Sequence, residues 1–150
     1  MTRVEQLAAH VDALCRQHRI DFIHRNTTHG TAMKRRRTIY TPPVTTELRY
    51  AIALHEIGHI VGKGRGSGTR VEQEAAAWRY VLETSIVELS QSTYLRMLKW
   101  LGSYLRKPVE GVGNWKLPAE RSEFWTTYRL IRERAGGNMI RGRSFFVDHR

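Results

Sequence analysis

Two histidines four residues apart, with a glutamate beside the first, make up the segment His55-Glu56-Ile57-Gly58-His59. On a helix, positions i and i+4 lie about one turn apart on the same face, so both imidazoles can reach one divalent metal ion. Glu56 would project beside them, where its carboxylate can take a proton from water activated by that metal. The chain holds 7 histidines in 150 residues, and residue frequencies predict roughly 0.02 chance matches to HExxH, so context decides its meaning. The plain alternative is a pair of hydrogen-bonded core histidines. Burying two histidines and a glutamate in an apolar helix is costly without partners, and a metal ion removes that cost.

The flanking residues describe such a helix. Thr45 or Thr46 is a suitable N-cap after Pro42-Pro43, and Glu47 suits a first turn. Leu48, Ile52, His55 and His59 form one stripe, while Ala51, Leu54, Ile57, Ile60 and Val61 make the remaining faces apolar. Gly62, Gly64, Gly66 and Gly68 then end it. A zinc site of this kind needs a third protein ligand and an open position. After His59 the only histidine is His149, so the acidic candidates are Glu72 and Glu74 in a second helix expected over Arg70–Ser90. Two positions apart means about 200° around a helix, so one of them at most faces the metal. Glu74 shares a stripe with Ala77, Trp78, Val81 and Leu82 and is favoured; Glu72, beside Arg70 and Gln73 near the helix start, is the alternative.

The sequence HEIGH, a short loop, Glu72-Gln73-Glu74-Ala75 and the aromatic Trp78 resembles the gluzincin metallopeptidases, in particular the small ImmA/IrrE-like group of phages and mobile elements. The likeness spans about residues 38 to 82. It implies Zn2+ held by His55, His59 and Glu74, with Glu56 as general base in hydrolysing a protein or peptide substrate. It also implies a phage-encoded origin, while the intracellular (cytoplasmic) location expected for the chain rests on its N-terminus, which lacks a signal-peptide core, and on its lone cysteine. Ala76 stands where that group often has Asn or Asp, and Trp78 where thermolysin-like enzymes have an Asp supporting a histidine ligand. The residue orienting each imidazole is therefore unassigned. SprT-like proteases use a third histidine soon after the motif, and none follows here.

Outside that stretch the chain reads as a helical domain with a small sheet. Thr2-Arg3-Val4-Glu5 matches a capping box, and Val4, Leu7, Ala8, Val11, Leu14 and Cys15 mark an amphipathic helix to about Arg19. Ile20–Arg25 reads as a short strand and Thr31–Thr41 as a second, with charge on both faces, hence an edge. Further helices are expected over Gln91–Lys107, stopped by Pro108, and over Ala119–Ala135, with Pro118 at its start. The expected architecture is α+β: a mostly helical single domain over residues 1–137 with a small N-terminal antiparallel sheet, followed by a basic arm or final strand over 138–150.

Composition limits the remaining choices. Hydrophobic residues make up 41% and charged residues 26%, a balance typical of globular proteins, and no apolar run nears the ~20 residues of a membrane span. The N-terminus lacks a signal-peptide core, and the lone Cys15 falls on an apolar helix face, which fits a buried inert thiol. The formal net charge of +11 comes from 25 Lys and Arg, dense at Lys34–Arg37, Arg129–Arg134 and Arg141–Arg150. Such charge attracts nucleic acid or acidic partners, and no sequence-reading motif accompanies it. On an edge strand, Arg35–Arg37 would bias a cleft towards acidic peptides. Tyr40, Tyr80, Tyr94, Tyr104 and Tyr128 are the tyrosines available to stabilise an oxyanion. The competing function is a basic nucleic-acid or regulator-binding protein whose metal site is structural or vestigial. Oligomeric state is not legible in the sequence.

Overall fold

Thr2 opens the first helix as its capping box requires: its Oγ1 accepts the Glu5 N–H at 3.1 Å. The structure, a computed structural model, describes residues 1–62, 68–106 and 117–136. Helix α1 (Arg3–His18) buries Leu7, Val11 and Cys15, a 4, 4 spacing on one face. It ends at Arg19, whose φ of 55° lets its N–H turn back to the Arg16 and Cys15 carbonyls. Burial, reinforced by Asp12, pushes the Cys15 thiol up to about 11, away from thiolate chemistry.

Strands β1 (Asp21–His24), β2 (Thr31–Met33) and β3 (Thr38–Thr41) form a sheet in the order β1-β3-β2. The sheet is mixed rather than wholly antiparallel: β1 runs parallel to β3 with Phe22 opposite Ile39, and only β2 pairs antiparallel, with Ala32 opposite Ile39. The stretch expected as one strand over Thr31–Thr41 is two, joined by a turn at 34–37. Four consecutive cations have no apolar face to bury, so the chain reverses there. The Arg37 N–H returns to the Lys34 carbonyl, and Arg37 takes a φ of 47°. The second half, β3, is consequently the central strand, with Thr38, Ile39 and Thr41 buried.

Helix α2 (Glu47–Val61) carries the HExxH segment. Thr46 Oγ1 caps it through the Arg49 N–H at 3.1 Å, and Glu47 in its first turn pairs with Arg3 at 3.0 Å. Every residue from Tyr50 to Gly58 is buried, as the all-round apolar pattern of a core helix requires. Helix α3 (Arg70–Thr84) stops six residues short of the expected Ser90. Ser85 Oγ donates to the Val87 carbonyl at 2.7 Å and accepts its N–H, a local turn that competes with helix continuation. Ser90 instead caps α4 (Gln91–Ser103) through the Thr93 N–H. Helix α5 (Glu123–Arg134) begins at the Ser122 cap rather than at Ala119. The expected end of α4 at Lys107, the loop around Gly111 and the basic segment 138–150 lie outside the described residues.

The chain divides into two compact units, Met1–Arg65 with Ala77–Glu88 and Gly66–Ala76 with Leu89–Arg150. The first is built on Leu7, Val11, Ile39, Tyr50, Leu54, Ile57 and Val81. The second packs α4 against α5 through Met97, Leu98, Leu101, Phe124, Tyr128 and Ile131. The architecture is thus mostly helical α+β. No described helix is long and apolar enough to cross a membrane.

Within the first unit, fully buried Tyr50 joins three segments. Its hydroxyl accepts the Ile86 N–H at 3.1 Å and lies 2.7 Å from His10 Nδ1. Burial lowers the His10 pKa and raises that of Tyr50, which favours the neutral form of each, and the imidazole tautomer decides which of the two donates. Tyr50→Phe keeps the ring and strips both bonds, and should lower the unfolding free energy by about 1–3 kcal/mol in urea titrations. A loss within experimental error would show that the bridge is dispensable.

Candidate metal centre

The i, i+4 spacing on α2 brings His55 Nε2 and His59 Nε2 to 3.2 Å of each other, their rings nearly perpendicular at 85°. That separation serves an N–H···N hydrogen bond in which one imidazole donates. It also matches a shared metal: two nitrogens on one tetrahedral zinc at about 2.0–2.1 Å stand about 3.3 Å apart. His55 and Glu56 are 5% and 7% exposed, depths at which polar groups need strong partners. His59 is half-buried.

Helix α3 completes the group because α2 has no side chain where the two helices meet. A Cβ placed on Gly58 would lie 2.9 Å from Tyr80 Cβ and 3.0 Å from the Ala77 carbonyl oxygen, closer than such contacts allow. With glycine there, Trp78 lays its ring on His55, centroids 3.9 Å apart and planes tilted by 33°. Glu74 precedes Ala77 and Trp78 by three and four residues on the same unbroken helix, and so shares their face. His55, His59 and Glu74 each offer a ligand atom within 4.8 Å of the other two. Two imidazoles and a carboxylate are a zinc-type donor set.

Glu72, the alternative third ligand, is engaged elsewhere. Its carboxylate accepts from Ser122 Oγ at 2.7 Å, from the Thr69 N–H at 3.1 Å and from Thr69 Oγ1 at 3.2 Å. These bonds, that from Ser122 foremost, hold its pKa below the ordinary carboxylate value. Thr69 Oγ1 in turn accepts the Glu72 N–H. Thr69-Arg70-Val71-Glu72 is a capping box that starts α3, a signal present in the sequence as T-x-x-E.

Glu56 has a neighbour that spacing along α2 could not disclose. A Cβ on Gly30, the residue before β2, would fall 2.6 Å from Glu56 Cγ and 2.8 Å from Oε2. Gly30 reads in the sequence as a turn residue, and the fold makes it the backbone wall against which Glu56 lies. The other residues considered for the site have partners of their own. The Arg37 guanidinium donates to the His18 carbonyl. Tyr94 and Tyr128 are core residues of the second unit, and burial pushes the Tyr128 hydroxyl up to about 12. Tyr40 carries the Arg25 guanidinium over its ring at 4.0 Å.

Comparisons with protein-family models, with curated proteins and with solved structures return no match.

The two glycines should respond differently to alanine. At Gly58 the obstructing atoms include α3 backbone, so Gly58→Ala should cost about 1–3 kcal/mol of unfolding free energy, as overpacking does. At Gly30 the nearest atoms belong to the Glu56 side chain, which can move, so Gly30→Ala should cost clearly less. Chemical denaturation of both variants checks the order, and equal losses would contradict the account of helix contact.

Proposed function

We propose that this chain is a zinc-dependent peptidase acting on a protein or peptide substrate. The observation that carries the reading is the 3.2 Å approach of the two Nε2 atoms with the Glu74 carboxylate in the same group and Glu56 next to His55. His55, His59 and Glu74 would hold the ion. When bound, zinc supplies a Lewis acid that polarises a carbonyl and brings the pKa of water towards ~7. Glu56, buried and pressed by Gly30, takes the proton of the attacking water and passes it to the leaving amine. Burial keeps its carboxylate from exchanging freely with solvent, which favours a single proton path.

The sheet supplies a way to hold an extended substrate. Among the described residues strand β2 pairs only with β3, which makes it an edge of the sheet, and Gly30 joins that strand to the wall of Glu56. A peptide added to this edge would gain backbone hydrogen bonds close to the proposed base. A metal of structural role is the competing reading, favoured by Trp78 standing on His55 where a carboxylate would orient a catalytic ligand.

Metal analysis and turnover of labelled casein separate the two. The wild type should bind one equivalent of zinc, lost in His55→Ala and in Glu74→Ala. Chelation should stop hydrolysis, and zinc should restore it. Glu56→Gln should keep the metal and lower turnover about 10²–10⁴-fold, the usual contribution of a general base. Metal retained with turnover near the parent rate would remove Glu56 from the mechanism.

A further inference from the structure

The reversal that splits the expected strand gathers cations that are distant in sequence. The 34–37 turn sits on the end of α1: Arg37 donates its guanidinium to the His18 carbonyl, and the Asp21 N–H donates to the Arg37 carbonyl. Arg16 and Arg19 from the helix end thereby join Lys34, Arg35, Arg36 and Arg37 from the turn. Arg16, Arg19, Lys34, Arg35 and Arg36 are exposed. Asp12, one helical turn before Arg16, and Asp21 are the acids that accompany these six bases along the two segments. The patch is therefore strongly positive and belongs entirely to the first unit.

A helix C-terminus ordinarily repels anions through its free carbonyls. Here the Arg19 N–H covers the Arg16 and Cys15 carbonyls, and Arg37 covers that of His18. The repulsive end is neutralised from within, which leaves the exposed bases to act outward.

We propose that this surface binds the phosphate backbone of nucleic acid. Four of the five exposed bases are arginines, whose planar forks match phosphate oxygens in pairs. A dense, solvent-facing positive charge suits a polyanion, whose binding is driven by counterion release. Binding is independent of base sequence, because a turn and a helix end present charge without a reading element for a groove. The inference stands apart from the metal site and survives if that site proves structural.

The test is fluorescence anisotropy of the full chain with a labelled 20-base-pair duplex of arbitrary sequence, over a salt series. Variants Arg16→Ser/Arg35→Ser/Arg36→Ser and, as a control at exposed bases of the second unit, Lys99→Ser/Arg121→Ser/Arg129→Ser are compared with the parent. Arg19 and Arg37, which hold the helix end, are left intact. The patch variant should bind at least about 10-fold more weakly, and its log–log salt slope should shrink by about 3, near 0.9 per lost phosphate contact. The control should change affinity less than about 3-fold by the same measure. Unchanged binding by the patch variant would overturn the proposal, as would a parent that ignores the duplex in low salt. Displacement of the duplex by polyglutamate as readily as by unlabelled duplex would also overturn it, in favour of an acidic protein partner.

Discussion

The close approach of α2 and α3 at Gly58 is the constraint on which the rest of the site depends. A Cβ there would fall 2.9 Å from Tyr80 Cβ and crowd the Ala77 carbonyl at 3.0 Å, and neither atom can swing away as the far end of a side chain can. With the helices in contact, Trp78 covers His55, and Glu74 one turn earlier falls among the histidines. The glycine between the histidines is thus a structural requirement for bringing the Glu74 carboxylate into their group. Such packing is paid for in buried polarity: His55 and Glu56 lie within an otherwise apolar stretch of α2. A shared cation resolves that conflict more fully than a hydrogen bond between two imidazoles, because it satisfies the carboxylate as well.

What was legible in the sequence was local and periodic. Thr2 and Thr46 cap their helices because a hydroxyl three residues before a free N–H suffices, wherever the helix then packs. The choice between Glu72 and Glu74 follows from rotation about one helix axis, and Glu72 sits with its capping partners. What was not legible was set by distant partners. The parallel pairing of β1 with β3 leaves no trace in either strand's own residues. The run Lys34–Arg37 looks like a poor edge strand until the Arg37 guanidinium finds the His18 carbonyl, nineteen residues earlier. Gly30 likewise shows its purpose only when Glu56 is brought against it. The early end of α3 lies between these cases: Ser85 carries the signal, but its turn outcompetes the helix only once Tyr50 takes the Ile86 N–H.

The two ends of one short strand meet different groups. At its start, β2 follows Gly30 and meets the proposed base. At its finish it runs into the basic turn anchored on α1. Three residues of strand span about 10 Å, so chemistry and charge are neighbours without overlapping.

The central claim is that two imidazoles and the Glu74 carboxylate share one ion. Zinc K-edge X-ray absorption on the loaded protein measures this directly. The account predicts a four-coordinate shell of nitrogen and oxygen at about 2.0–2.2 Å, with outer scattering from two imidazoles and no sulfur. A shell with one imidazole or none, or one left unchanged by Glu74→Ala, would contradict it.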